Sequence, residues 1–162
     1  MNCIYVSEIF RISGMKTRIM SSFSISDMSE VFSKDEANKA LKNGEVIFCA
    51  CGTGHPYFST DTGVVLRALE LTCKEILLAK AIDGVYDKDP KKFPDAKKYD
   101  TLSIEEVVEK RLQVIDLSAS ILCLENRLPM SVFSLEEEDG IFKALLGEHK
   151  GTRVTADFSK TQ

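Results

Sequence analysis

The chain has 162 residues, is 44% hydrophobic, and carries 21 basic against 25 acidic residues, which gives a net charge of -4. This length and apolar content suffice to bury the core of a single domain, and the acidic balance argues against nucleic acid as a partner. No basic segment followed by a long apolar run marks a signal peptide, and no apolar run reaches the ~20 residues of a membrane span. We therefore expect a cytoplasmic protein that does not contact a membrane.

Short apolar runs alternate with helical patterns along the sequence. Residues 1–14 have the pattern of an amphipathic helix, and five runs rich in apolar and β-branched residues predict strands. These runs are residues 18–22, 45–50, 75–81, 130–133 and 152–156. Residues 83–100 are rich in turn formers and lysine, which predicts a surface loop. The alternation predicts an α/β fold with a mostly parallel sheet and crossover helices.

Capping residues mark where several helices begin. Ser33 followed by Glu36 predicts one capping box, and Ser103 followed by Glu106 predicts another. The acidic run at 135–139 favours the start of a further helix through its negative charge.

A glycine-rich loop lies between strand 45–50 and the helix that we expect to begin at Ser59, Thr60 or Asp61. It reads "GTGHPYFST" over residues 52–60. Free backbone N–H groups and the positive end of the helix dipole favour an anion at such a position, so a phosphate site fits the chemistry. The alternative is a simple turn in which Ser59 or Thr60 caps the helix.

The composition of this loop supports close approach to a ligand. Two glycines free the backbone and three hydroxyls add hydrogen-bond donors. These residues are Gly52, Gly54, Thr53, Ser59 and Thr60. The loop lacks the lysine of the P-loop and the third glycine of the dinucleotide fingerprint. Gly63, in the first turn of the following helix, costs up to about 1 kcal/mol relative to alanine.

The five cysteines are odd in number and lack the paired spacing of a zinc or redox site. They are Cys3, Cys49, Cys51, Cys73 and Cys123. Because three of them lie within apolar runs, we expect reduced, buried thiols and no metal site.

Three motifs occur in the order and spacing of one known family. They read "GTGHPYFSTDTGVVLRALE" from residue 52, "DGVYDKDP" from residue 83 and "VIDLSA" from residue 114. Together they resemble bacterial UMP kinase, a family with the amino-acid kinase fold, and the similarity runs from Met1 to about Thr155. The resemblance implies the amino-acid kinase fold and a role in pyrimidine nucleotide biosynthesis. The implied reaction is UMP plus ATP giving UDP plus ADP, with ATP as phosphoryl donor and Mg²⁺ as cofactor.

The resemblance also implies which residues bind UMP. The loop would wrap the nucleotide, with the hydroxyls of Thr53 and Thr60 beside its phosphate, while Tyr57 and Phe58 shape the nucleoside pocket. The implied UMP-binding residues are Thr53, Gly54, His55, Pro56, Tyr57, Phe58, Ser59 and Thr60.

On the ATP side, the resemblance implies that Lys80, Tyr86 and Asp89 line the nucleotide site, with lysine standing where threonine is common. Asp61 and Asp116 would lie near the phosphoryl-transfer centre as catalytic residues. Each aspartate precedes a helical run, so N-capping is the alternative role, and the two roles can coexist.

Chains of this family carry further segments on the N-terminal side. These hold a lysine with a glycine-rich loop, a second segment reading "GGGN" and an aspartate that reads UMP, whereas the 162 residues contain no adjacent glycine pair. We therefore interpret residues 1–162 as one partial domain that is inactive alone, with 1–60 ending a UMP-binding part and 61–162 forming an ATP-binding part. Family members are commonly hexamers, so a homo-oligomer is expected.

Two other interpretations stay open. One is a non-catalytic nucleotide-binding or remnant protein. The other is a different amino-acid kinase that acts on a carboxylate or carbamate, and the loop motif speaks against it because the resemblance ties that motif to UMP enzymes.

Overall fold

A computed structural model describes residues 1–155 of the chain, apart from the side chain of Ser26. The chain folds as two compact units, Met1–Thr72 and Cys73–Gln162. The last position of the strand predicted at 152–156 lies outside the described residues. Within the described part of the chain, no helix has both the length and the apolar character that a membrane span needs.

The first unit packs helices against a three-stranded sheet. Its elements in chain order are α1 (Asn2–Ile12), β1 (Thr17–Ser21), a short 3-10 helix (Ser26–Met28), β2 (Glu30–Val31), α2 (Lys34–Lys42), β3 (Val46–Ala50) and α3 (Thr60–Glu70). The strand order is β2-β1-β3, with all strands parallel. Phe10 of α1 meets Phe48 of β3 edge to face, with ring centroids 5.4 Å apart, so this contact fixes α1 on the sheet.

The register of this sheet brings two loops to one edge. β1 and β3 pair in parallel from Thr17 opposite Val46 to Ser21 opposite Ala50. The segments that follow Ser21 and Ala50 therefore leave the sheet side by side, and the Ser22 N–H still donates to the Ala50 carbonyl at 3.4 Å. The carboxyl edge of an open parallel sheet is where α/β proteins bind ligands.

The second unit is built on a four-stranded sheet. Its described elements are β4 (Ile76–Lys80), β5 (Val85–Tyr86), β6 (Lys98–Tyr99), β7 (Thr101–Ser103), α4 (Ile104–Glu109), α5 (Leu117–Asn126), β8 (Met130–Ser134), α6 (Gly140–Leu145) and β9 (Thr152–Thr155). The strand order is β4-β8-β9-β7, parallel except between β8 and β9, and β5 and β6 form a separate antiparallel pair. β8 is buried from Met130 to Phe133 and forms the centre of this unit's core.

The predicted α/β fold with mostly parallel strands is confirmed, and a strand forms at each of the five predicted positions. Sequence periodicity misses β2, β5, β6 and β7. These strands have two or three residues each, too few to show the alternation of a half-buried strand. β5 and β6 fall within residues 83–100, which were expected to be loop alone.

The two predicted capping boxes differ in the structure. At α4 the Ser103 hydroxyl accepts from the Glu106 N–H at 3.2 Å and the Glu106 carboxylate accepts from the Ser103 N–H at 3.3 Å, so this box is complete. At α2 Ser33 accepts from the Glu36 N–H at 3.5 Å, but the Glu36 carboxylate pairs with Lys39 at 2.6 Å. Lys39 therefore binds the Glu36 carboxylate, which would otherwise complete the capping box at α2.

The expectation of buried thiols is wrong for most of the cysteines. Cys49, Cys51 and Cys73 are exposed, Cys3 is half-buried and Cys123 is buried, and within residues 1–155 none of the five is in a disulfide. Cys49 is the one exposed residue of β3, whose other four residues are half-buried. Cys51 and Cys73 follow the ends of β3 and α3, so the apolar runs that suggested burial stop short of them.

Burial raises the pKa of the Cys123 thiol to about 11 from an ordinary value of 9.0. The folded state therefore keeps this proton at a pH where the unfolded chain loses it. The resulting stabilisation is complete below about pH 9 and is lost as the pH rises toward 11. In urea unfolding from about pH 8 to 10.5, we expect the unfolding free energy of Cys123→Ala to fall less with pH than that of the parent chain.

Cys73→Ala, which removes an exposed thiol, is the matched control and should keep the parent's pH dependence. An equally steep fall in Cys123→Ala and the parent would contradict the assignment.

Candidate functional site

The glycine-rich loop closes over the first turn of α3. A Cβ added at Gly63 would lie 2.9 Å from both the Cα and the carbonyl carbon of Gly52, and 3.2 Å from the Thr53 nitrogen. Gly52 also faces Thr60, because a Cβ at Gly52 would lie 3.8 Å from the Thr60 Cγ2. Glycine at position 63 lowers the intrinsic stability of the helix. Its missing side chain is what allows the loop to pack against the first turn of α3.

Local hydrogen bonds and unusual backbone angles shape the loop. The Gly54 N–H donates to the Cys51 carbonyl at 3.1 Å, and the Thr53 hydroxyl accepts from the His55 N–H at 3.1 Å. Four residues have positive φ angles: Cys51 (68°), Gly52 (55°), Gly54 (75°) and Tyr57 (68°). Two of these four are not glycine, and such strained positions are concentrated at functional sites.

The end of the loop caps α3 and leaves donors for a ligand. The Ser59 hydroxyl accepts from the Asp61 N–H at 3.1 Å and from the Thr62 N–H at 3.4 Å. Ser59 is thus the N-cap, and the predicted capping alternative is correct for Ser59 but wrong for Asp61, which lies in the first helical turn. Within residues 1–155, the amides of Thr53 and Thr60 donate to no protein acceptor. Free N–H groups at a helix N-terminus can receive an anion.

Two aromatic residues stand open beside these donors. Tyr57 keeps all of its surface accessible, at 104% of the reference value, and Phe58 is 56% exposed. Rings that are not packed against their own unit are available to stack on a ligand, and aromatic rings next to polar donors are typical of binding sites. The two exposed rings and the free amide of Thr53 therefore belong to the same loop.

Two residues that the sequence does not mark for the site hold this loop in place. Gly63 supports it from α3, and Ser22 supports it from the end of β1. The Ser22 hydroxyl donates to the Gly52 carbonyl at 2.5 Å, and a Cβ at Gly54 would lie 2.8 Å from the Ser22 Cβ. Neither residue carries a sequence signal, because a serine in a serine-rich segment and a helical glycine are both uninformative alone.

In the second unit, the structure connects Lys80 with the segment that carries Asp116. Lys80 ends β4, and its ammonium donates to the carbonyl of the buried residue Val114. Two residues later, the Asp116 carboxylate accepts from the Ala119 N–H at 2.9 Å and caps α5. The capping role predicted for Asp116 is therefore confirmed, while its catalytic role stays a prediction.

Tyr86 on β5 is held by an acidic neighbour. Its hydroxyl donates to the Asp83 carboxylate at 2.8 Å, and the Lys98 ammonium pairs with the same carboxylate at 3.0 Å. Partial burial opposes the charge of Asp83, but the hydrogen bonds from Lys98 and Tyr86 outweigh it, so the pKa of Asp83 lies below its ordinary 3.8. The hydrogen bond to Asp83 and partial burial raise the pKa of Tyr86 above 10.0. Tyr86 is therefore a neutral, half-exposed ring in a fixed orientation.

Asp89 organises its own turn. Its carboxylate accepts from the Lys91 N–H at 3.0 Å, and its carbonyl accepts from the N–H groups of Lys92 and Phe93 at 3.1 and 2.9 Å. Within the described residues, no hydrogen bond joins Asp89 to Tyr86 or Lys80. The structure thus places these three predicted ATP-side residues in one unit without linking them directly.

Metal ligands are not clustered in the part of the chain that the structure describes. Among those residues, no group of three or more histidine, cysteine, aspartate or glutamate side chains is arranged to hold a metal ion.

Residues 1–134 match the model of the amino acid kinase family. The chain belongs to the amino acid kinase family. Among its curated relatives, the uridylate kinases of Psychrobacter sp. (strain PRwf-1) and Psychrobacter cryohalolentis are each 42% identical to it over 154 residues. These matches cover 95% of this chain and 64% of each relative. The chain therefore spans slightly less than two thirds of the length of these uridylate kinases.

Solved structures of the same family have the same fold. The UMP kinase of Bacillus anthracis superimposes with a TM-score of 0.91 and 32% identity, covering 96% of this chain and 65% of that one. The UMP kinase of Ureaplasma parvum gives a TM-score of 0.90 and 30% identity, covering 95% of this chain and 66% of that one. The expected amino-acid kinase fold is therefore confirmed.

The backbone contact at Gly63 generates a direct prediction. Gly63→Ala improves helix propensity by up to about 1 kcal/mol but forces the loop off α3, so we expect a net loss of about 1–3 kcal/mol in unfolding free energy. Urea unfolding measures this change. Val64→Ala, an exposed substitution in the same helical turn, should stay within about 0.5 kcal/mol of the parent. Greater stability of Gly63→Ala than of the parent would contradict the contact.

Proposed function

We propose that the chain supplies nucleotide-binding parts of a UMP kinase, the enzyme that transfers a phosphoryl group from ATP to UMP and forms UDP and ADP. The observation that carries the proposal is the pair of free amides at Thr60, on the first turn of α3, and at Thr53, in the loop that lies against this turn. The 42% identity to uridylate kinases supports UMP as the ligand of this loop.

The loop residues have the chemistry that UMP needs. The phosphate would accept from the amides and hydroxyls of Thr53 and Thr60, where the α3 dipole adds favourable potential. The exposed rings of Tyr57 and Phe58 would cover the uracil or the ribose. Asp61, in the first turn of the same helix, would lie close to the acceptor phosphate.

The second unit would bind ATP. Tyr86, fixed by Asp83, would stack on the adenine, and Asp89 would accept from the ribose or the base. Lys80 has no carboxylate within ion-pair distance in the described chain, so its charge would be available to the phosphates. Asp116 would orient polar groups or cations of the transferring phosphoryl.

Mg²⁺ fits the donor set only as part of a nucleotide complex. This ion is usually held by one or two carboxylates together with substrate phosphates. The described residues contain no three-ligand group, so the carboxylate of Asp116 in the second unit would hold the ion together with oxygens of ATP. When bound, the ion supplies neutralisation of the phosphate charge.

Fast turnover would need more than these residues. Phosphoryl transfer depends mainly on positioning and on fixed charge, and the 162 residues contain no adjacent glycine pair that could match the family's other phosphate-binding loops. We propose that the chain alone binds nucleotide with little or no turnover. A non-catalytic nucleotide-binding role remains the second candidate for the same reason. Homo-oligomer formation in a cytoplasmic setting belongs to the same proposal.

Two assays on the purified chain test this function. In isothermal titration, UMP should bind at least about tenfold more tightly than uridine, because the phosphate adds charge-assisted hydrogen bonds. In a coupled ADP-release assay, the chain should show little UMP-dependent turnover, with the Psychrobacter cryohalolentis uridylate kinase as positive control. Equal affinity for UMP and uridine would refute the phosphate site, and turnover near that of the control would refute the claim of incompleteness.

Tyr86 offers a test of the ATP side. Tyr86→Ala removes the stacking surface, so ATP affinity should fall about three- to tenfold while UMP affinity stays unchanged. Tyr86→Phe keeps the ring, loses only the hydrogen bond to Asp83, and is the matched control. A variant whose UMP affinity falls more than its ATP affinity would reverse the assignment of the two sites.

A further inference from the structure

Ser22 touches the glycine-rich loop at two points. Its hydroxyl donates to the Gly52 carbonyl at 2.5 Å, and its Cβ leaves no room for a side chain at Gly54, where an added Cβ would lie 2.8 Å away. The backbone of Ser22 is fixed in turn, because its N–H donates to the Ala50 carbonyl at 3.4 Å. The end of β1 therefore holds both the last residue of β3 and the loop that follows it.

This contact sets the direction of one peptide group. The peptide between Gly52 and Thr53 is trans and planar, so its carbonyl and its N–H point in opposite directions. Because Ser22 holds the Gly52 carbonyl on the β1 side, the Thr53 N–H points away from β1. The Thr53 nitrogen lies 3.2 Å from the position of a Cβ on Gly63, which places it against the first turn of α3.

Without an anchor, this peptide would have unusual freedom. Gly52 adopts a φ of 55°, and glycine reaches positive and negative φ with similar ease, so the carbonyl could rotate and carry the amide with it. Within residues 1–155, the Thr53 N–H has no acceptor that would hold it. The Ser22 hydroxyl, which donates to the Gly52 carbonyl, is thus a hydrogen-bond donor that holds this peptide in its orientation while Gly63 supports it from α3.

We infer that Ser22 is a positioning residue that aims the Thr53 amide at the phosphate of a nucleoside monophosphate. Ser22 does not touch the ligand, because its hydroxyl is directed at the Gly52 carbonyl. The inference rests on the proposed binding of UMP by this loop. It adds a residue that affects the affinity for the phosphate through the Thr53 amide and does not affect the contacts with the nucleoside.

A titration with two ligands separates positioning from general support of the site. Ser22→Ala should weaken UMP binding about three- to tenfold, the worth of one well-placed hydrogen bond, and leave uridine affinity unchanged. Ser24→Ala is the matched control, because Ser24 is exposed and makes no hydrogen bond within the described residues. An equal loss for both ligands, or no loss for UMP, overturns the inference. Loss of the native circular dichroism spectrum would also overturn it, by assigning Ser22 to folding.

An amide spectrum decides the same point without a nucleotide. In ¹⁵N-labelled protein, Ser22→Ala should move the Thr53 amide signal and reduce the shift that inorganic phosphate causes in it, whereas Ser24→Ala should do neither. If the parent chain fails to bind UMP, the proposed function falls, and the ligand-free Thr53 signal still tests Ser22. A Thr53 signal that is identical in Ser22→Ala and the parent overturns the inference.

Discussion

The candidate site of the first unit depends on one close contact between two backbones. The Gly52 backbone occupies the space that a side chain on Gly63 would need. A Cβ added at Gly63 would lie 2.9 Å from the Cα and the carbonyl carbon of Gly52. This contact sets the loop directly on the N-terminal turn of α3, where unpaired N–H groups and the helix dipole coincide. The Ser22 hydrogen bond holds the start of the loop at Gly52, and the Ser59 cap holds the end of the loop on α3. A larger residue at position 63 would separate the donors that the site needs.

Backbone groups explain how a chain with a net charge of -4 can attract a phosphate. Residues 51–60 contain no lysine or arginine, so in the proposed site the attraction would come from oriented amides and hydroxyls and would have a defined direction. In the proposed ATP site the second unit would use side chains instead, with Lys80 at the end of β4 and Tyr86 fixed by Asp83. Under the proposed function, each unit of the chain would therefore bind its nucleotide through a different kind of group.

The sequence predicts the long elements well because their signals are local. Apolar runs predicted strands at the positions of β1, β3, β4, β8 and β9, and the Ser103 box, the Ser59 cap and the Asp116 cap follow from side chains that bond to nearby amides. Contacts between distant residues escape such reasoning. The roles of Ser22 and Gly63 exist only after β1, β3 and α3 have assembled, and the exposure of Cys49 depends on what covers β3. The ion pair between Glu36 and Lys39 shows that even a local capping box stays incomplete when a neighbouring lysine binds its carboxylate.

A crystal structure of the chain with UMP would test the central claim most directly. The account predicts that the phosphate lies within hydrogen-bond distance of the Thr53 and Thr60 amides, that the Ser22 to Gly52 hydrogen bond is retained, and that Tyr57 or Phe58 contacts the nucleoside. A phosphate bound at the lysine-rich turn near Asp89, with residues 52–60 making no contact with the ligand, would contradict it.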